Sequence, residues 1–225
     1  MVHIYAVDIT NLPDPLEVPE LMGDLPEIRK QKILKCRQPE ARKQSLGAGL
    51  LLEYILREHG LRNSKIKVGL NGKPEIDGIC FNLSHSKNMV ICAVGEKSVG
   101  CDVEQISNAP EKVADRCFSK SEIRYLNGIS KEKRKQEFYR LWTMKESYIK
   151  MTGEGMRLPL ESFEVIFEEG IHIYREGEKQ DCFVKEYQLC QEDQLPYYIS
   201  VCAEEKEFAE QIILKEWAEL VDKSR

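Results

Sequence analysis

No stretch of this chain reaches the ~18 consecutive apolar residues that an α-helix needs to span a bilayer, so a helical membrane span is not expected. No C-x-x-C pair occurs among the cysteines at 36, 80, 92, 101, 117, 182, 190 and 202, which gives a zinc site little support. The nucleophile elbow G-x-S-x-G is missing, and with it the usual signature of an α/β-hydrolase. An excess of basic charge is missing too: 33 Lys and Arg stand against 38 Asp and Glu, a net −5, which argues against general nucleic-acid binding. The opening run, Met1 to Ile9, lacks a charged n-region and reads as a strand instead of a signal peptide. Cys80, Cys92 and Cys202 sit inside apolar runs, as small buried hydrophobes do. A reduced, cytoplasmic protein is the simplest reading.

What is present is enough for one large domain or two small ones: 225 residues, 42% of them hydrophobic. Strands are expected at 2–9, 66–70, 79–83, 89–94 and 99–104, and again at 163–167, 171–174, 182–189 and 197–202. Helices are expected at 27–36, 40–58, 111–117, 119–127 and 132–151. Residues 11–26, with prolines at 13, 15, 19 and 26, read as a loop, and 105–112 as a polar connection. The fold class is α/β (α+β). Val90 to Val94 and Ile199 to Ala203 are alike in tone, a faint hint that the second half repeats the first.

Charge is unevenly placed. Between 29 and 43, Arg29, Lys30, Lys32, Lys35, Arg37, Arg42 and Lys43 face one acid, Glu40. A local basic patch on an acidic protein suits a small polyanion better than a long duplex, although a solvated helix face is the ordinary use of such a run.

Asp102 and Glu104, two apart on an expected strand, share one face with roughly 6.5–7 Å between them along the chain. Two carboxylates so placed suit a hard divalent cation, and Glu146 can add a third oxygen ligand from its helix. On that helix Phe138, Trp142 and Ile149 form an apolar stripe that Lys145 interrupts with a charge. Lys145 either snorkels or acts, and Glu146 and Lys150 sit one turn apart as a pair. Adjacent on a strand, Ser84 and His85 point to opposite faces and do not form a hydrolytic dyad. Asn82 is expected to fix a turn by hydrogen-bonding nearby backbone. Lys73 follows the Asn71-Gly72 turn and precedes Pro74, which holds it extended and able to reach a ligand. Ser119 and Glu122 have capping-box spacing.

In order along the chain, Asn-Gly-Lys-Pro-Glu at 71–75, Phe-Asn-Leu-Ser-His-Ser at 81–86, Gly-Cys-Asp-Val-Glu at 100–104 and Trp-Thr-Met-Lys-Glu-Ser-Tyr-Ile-Lys at 142–150 resemble the successive motifs of a 4′-phosphopantetheinyl transferase. The match is to the surfactin-synthetase-activating type and spans roughly residues 30 to 160. The resemblance implies two similar α/β halves, 1–105 and 106–225, related by a pseudo-twofold with the active site between them. It implies transfer of phosphopantetheine from coenzyme A to a serine of an acyl, peptidyl or aryl carrier protein. Fatty-acid, polyketide and nonribosomal-peptide carriers all present such a serine. It implies Asp102, Glu104 and Glu146 as ligands of Mg²⁺ (Mn²⁺ being an alternative), and Lys150, Ser84 and His85 at the pyrophosphate. Lys73 and Pro74 would lie along the nucleotide; Lys43, with Arg29 and Lys32, would clasp the 3′-phosphate. Trp142 would orient Lys145 and Glu146. The general base stays open between Glu146, acting directly or through a water, and Glu122, whose other role is the capping box. The basic segment 127–136 is a candidate dock for an acidic carrier. The two-halved chain implies a monomer. Two alternatives stand beside this one: a binding module that keeps the coenzyme A site without catalysis, and a nucleic-acid binder using the 29–43 patch.

Overall fold

The computed structural model describes residues 1–62, 64–106, 111–190 and 195–221. Twelve strands appear among them: β1 (His3–Asp8), β2 (Lys67–Val68), β3 (Pro74–Glu75), β4 (Cys80–Ser86), β5 (Met89–Gly95), β6 (Val99–Gln105), β7 (Phe163–Phe167), β8 (Ile171–Arg175), β9 (Glu178–Lys179), β10 (Phe183–Leu189), β11 (Tyr197–Ala203) and β12 (Ile213–Glu216). The α-helices are α1 (Glu27–Lys35), α2 (Pro39–Glu58), α3 (Glu111–Cys117), α4 (Lys120–Gly128), α5 (Lys131–Thr152) and α6 (Trp217–Val221). Residues 107–110 of the expected polar connection lie outside the described residues.

Two sheets pack face to face between two long helices. One sheet runs β12-β1-β5-β4, the other β10-β11-β6. Strand alternation divides the side chains between layers. Met89, Ile91 and Ala93 of β5 meet Val99, Cys101 and Val103 of β6 between the sheets. Val90, Cys92 and Val94 turn the other way, onto Leu46, Leu50, Leu51 and Ile55 of α2. This is why β5 is apolar at every position: both of its faces are buried. On the far side α5 presents Phe138, Leu141, Met144 and Tyr148 to a third core with β7, β8 and Cys202 of β11. The α5 helix stops at Gly153, whose φ of 73° is the left-handed conformation a helix C-terminus uses.

The order strand, helices, hairpin occurs twice: β1, α1–α2, β4–β5, then β6, α3–α5, β10–β11. In each run the first strand pairs antiparallel with the second strand of its hairpin, β1 with β5 and β6 with β11. The repeats do not stay separate. The β12 strand returns from the end of the second run to pair parallel with β1.

The structure departs from the expected elements in places, among them the 11–26 loop, which holds a short 3-10 helix at Pro19–Met22. The strand at 66–70 shrinks to Lys67–Val68, because the chain turns at Leu70–Gly72 with Asn71 at φ 55° and Gly72 at φ 82°. Beyond β11 the chain forms β12 and α6, for which the sequence carries no clear periodicity. β12 is an edge strand with Leu214 exposed, so its sequence carries no clean alternation of apolar and polar residues.

Candidate active site

The site is set by how closely α5 approaches β6. A Cβ on Gly100 would lie 2.1 Å from the Ser147 carbonyl oxygen and 2.3 Å from Met151 N, so only glycine lets the helix backbone sit this near. The approach lays Lys150 across the next residue of the same strand face, Asp102. Lys150 Nζ is 2.6 Å from Asp102 Oδ1 and 2.9 Å from Ser84 Oγ, and the serine donates 2.9 Å to the same Oδ1. One strand period away, Ser86 Oγ donates 2.8 Å to Glu104 Oε2. Ser84 and Ser86 of β4 thus stand in register with Asp102 and Glu104 of β6. Asn82 continues the series: its side-chain oxygen accepts from Cys101 N at 2.9 Å. It therefore bridges the two sheets and does not fix a local turn as expected.

Asp102 and Glu104 from β6, Glu146, Lys150 and Trp142 from α5, and Ser84 and His85 from β4 line an open cavity of about 360 Å³. Three carboxylates face one ammonium there. Burial, and then the Asp102 charge, push the Glu104 and Glu146 carboxyls above their ordinary value. Burial works against the Lys150 ammonium, yet Asp102, Cys101 and Glu146 together hold its pKa above normal. Partial desolvation, with Lys150 and Lys32 nearby, lowers the His85 imidazole even though its outer edge is exposed. Asp102 Oδ2 is buried with no hydrogen-bond partner. An unpartnered buried carboxylate oxygen between two carboxylates of raised pKa is a donor set that fits an added cation. Among the described residues no group of three His, Cys, Asp or Glu is already drawn together as a metal cluster.

Other expected site residues lie elsewhere. Lys145 does not enter the cavity and does not snorkel. It is fully buried, its Nζ 2.7 and 2.8 Å from the Glu122 oxygens and 2.6 Å from the Phe163 carbonyl. Glu122 forms the capping box, accepting from Ser119 N at 2.7 Å, and also accepts from Val165 N at 2.8 Å. With both oxygens engaged and 2% of its surface exposed, Glu122 is not placed to act as a base on a substrate in the cavity. Burial, partly offset by Glu122, lowers the Lys145 ammonium. Trp142 stacks on Phe138 with ring centres 6.0 Å apart and shows its free side to the cavity. Lys73, expected to reach a ligand, donates instead to the carbonyls of Val99 at 3.1 Å and Lys150 at 2.8 Å.

Arg29, Lys32, Lys43 and Pro74 are outside the cavity lining. Lys32 on α1 is near enough to influence His85, so positive charge runs from α1 past β4 to Lys150. Arg42 of the same basic run is structural, its Nε donating 3.0 and 3.1 Å to Asp14. Ser86, Gly100 and Asn71 fall within the motifs that carry the resemblance, but the motifs alone do not give their contacts across to β6 and α5. For Ser86 a signal existed: Ser84-x-Ser86 has the same period as Asp102-x-Glu104.

The fold and site together define a mixed α/β protein with an acid-lined, lysine-bearing cleft between β4, β6 and α5. Residues 98–202 match the model of the 4′-phosphopantetheinyl transferase superfamily. The chain is 32% identical over 218 residues to a 4′-phosphopantetheinyl transferase of Bacillus subtilis, covering 92% of this chain and 96% of that one. It is 34% identical over 205 residues to 4′-phosphopantetheinyl transferase Sfp of Bacillus subtilis strain 168, covering 86% and 90%. It is 33% identical over 176 residues to 4′-phosphopantetheinyl transferase HetI of Nostoc, covering 73% of each. The chain belongs to the 4′-phosphopantetheinyl transferase superfamily.

Proposed function

We propose that this protein transfers the 4′-phosphopantetheine group of coenzyme A to a serine hydroxyl of an apo carrier protein. The observation that carries this is the cleft that Asp102, Glu104 and Glu146 line together with Lys150, with Asp102 Oδ2 lacking a partner. The serine oxygen attacks the β-phosphorus, and the bond from that phosphorus to the oxygen bridging to the α-phosphate breaks. Adenosine 3′,5′-bisphosphate leaves with the electron pair. Such chemistry depends on positioning and charge neutralisation more than on a protein nucleophile.

Asp102, Glu104 and Glu146 would hold a divalent cation, Mg²⁺ or Mn²⁺, which when bound supplies positive charge at the pyrophosphate. Lys150, kept protonated by Asp102, adds its own charge there. Ser84 and His85 contact phosphate from β4, and Lys73 and Pro74 border the nucleotide through the backbone of their turn. Lys43, Arg29 and Lys32 receive the 3′-phosphate. Of the two candidate bases, Glu146 faces the cavity and Glu122 does not. Lys145 and Glu122 act through position, fixing α4 and β7 against α5.

The carrier docks electrostatically at 127–136, where Lys131 and Lys133 are exposed. Charge reversal of Lys131, Lys133 and Arg134 that left the carrier KM unchanged would remove this docking site. The two runs of the fold support a cleft complete in one chain, hence a monomer, and eight free cysteines suit a reduced cytoplasmic setting. The test is release of adenosine 3′,5′-bisphosphate from coenzyme A, followed by chromatography. Release should require both the apo carrier and a divalent cation, and should be lost in Asp102→Asn. Release without carrier, or undiminished in a chelator, would overturn the reading.

A further inference from the structure

The turn at 70–74 is joined to the end of α5 and the residues just past it by three hydrogen bonds, and to the start of β6 by a fourth. Asn71 Nδ2 donates to Gly153 O at 2.7 Å and Glu154 O at 3.1 Å. Lys73 Nζ donates to Lys150 O at 2.8 Å and Val99 O at 3.1 Å. A helix leaves its last carbonyls without intrahelical partners, and its C-terminus carries partial negative charge. The ammonium and the amide satisfy that end from a neighbouring segment. Lys73 also spans the seam itself, since Val99 precedes Gly100 on β6 and Lys150 lies on α5. Its ammonium has no carboxylate at bonding distance among these partners, and burial lowers its pKa. Two successive positive-φ residues, Asn71 and Gly72, fold the turn tightly enough to bring both side chains to one helix end.

We propose that Asn71 and Lys73 are positioning residues, a clasp that locks the last turn of α5 onto β6 and so holds Lys150 against Asp102. The backbone of Lys150 is gripped through its carbonyl while its side chain reaches the carboxylate. The clasp rests on the transfer reaction proposed above only for its kinetic consequence. It assigns the two side chains to the enzyme's own helix end, leaving the backbone of the turn free to border the nucleotide.

The test uses the full chain with coenzyme A, Mg²⁺ and saturating apo carrier. Lys73→Met removes the ammonium while keeping its length. Asn71→Gly removes the side chain while keeping a residue at ease with positive φ. Lys73→Arg restores a fork able to donate to both carbonyls. Each variant is also followed by amide hydrogen exchange at 149–154. Lys73→Met and Asn71→Gly should lower kcat about tenfold or more, with the coenzyme A KM within about threefold. They should speed exchange at 149–154, and Lys73→Arg should recover most of both losses. A KM rise larger than the kcat fall would mark Lys73 as a ligand contact and overturn the clasp. Unchanged exchange at 149–154 would overturn it as well. Because exchange is read without substrate, a wild type inactive on every carrier would count against the transfer reaction and leave the clasp to be judged by exchange alone.

Discussion

Lys150 Nζ approaches Asp102 Oδ1 to 2.6 Å, while the other oxygen of the same carboxylate is buried without a partner. One half of Asp102 is therefore neutralised by the protein and the other half is left for something the protein does not supply. Asp102→Asn keeps the shape and removes the charge. Transfer should fall about 10²–10³-fold, and heat of Mg²⁺ binding should vanish in calorimetry.

The raised carboxyls of Glu104 and Glu146 make stability depend on pH. With folded pKa values above the unfolded ones, the native state binds more protons in that window. Stability of the cation-free protein therefore falls as pH rises from the ordinary glutamate value of 4.5 through the raised values. Mg²⁺ should raise Tm more at pH 7.5 than at pH 5, as thermal scans at both pH values will report.

Gly100→Ala should damage stability and activity together. The added Cβ would meet backbone, 2.1 Å from Ser147 O and 2.3 Å from Met151 N, and backbone cannot rotate aside. Denaturant unfolding should show a loss of about 1–3 kcal/mol. The displaced helix should also lower kcat by separating Lys150 from Asp102.

Lys145→Met should cost about 3–5 kcal/mol, because it leaves a buried Glu122 carboxylate without its ammonium. The double variant Lys145→Met with Glu122→Gln should lose less than the two single changes added together, as the orphan charge is gone. Equilibrium unfolding of all three variants measures the difference.

His85 is pushed below the ordinary histidine value of 6.5 by desolvation and by Lys150 and Lys32. In the ligand-free protein stability therefore falls as pH drops below that value, since the unfolded chain binds the proton more readily. A bound polyanion reverses the sign, raising the imidazole. Coenzyme A binding should take up a proton near pH 6.5, seen as buffer-dependent heat, and His85→Asn should abolish the uptake.

The strands and helices that pack cores were legible because their periodicities are strong. The continuous apolar run of β5 and the stripe of α5 are examples. The acids at 102 and 104 could be paired from spacing alone, since a strand puts alternate residues on one face. The capping box of Ser119 and Glu122 was legible from its spacing, but the pairing of Lys145 with Glu122 and the partners of Lys73 were not. A lysine on an apolar stripe looks the same in sequence whether it meets a ligand or a buried glutamate from another helix. The partners of Lys73 are main-chain carbonyls, which no residue type announces. β12 was missed because an edge strand need not bury both faces, so Leu214 and Glu216 stand exposed beside half-buried Ile213 and Lys215.

The most direct measurement is the intact mass of an apo carrier protein after incubation with this protein, coenzyme A and Mg²⁺. Transfer predicts a gain of about 340 Da, the phosphopantetheinyl mass expected from this chemistry, located on a single serine and absent without coenzyme A. An unchanged mass across acyl, peptidyl and aryl carriers, with coenzyme A bound throughout, would contradict transfer and leave a coenzyme A-binding module.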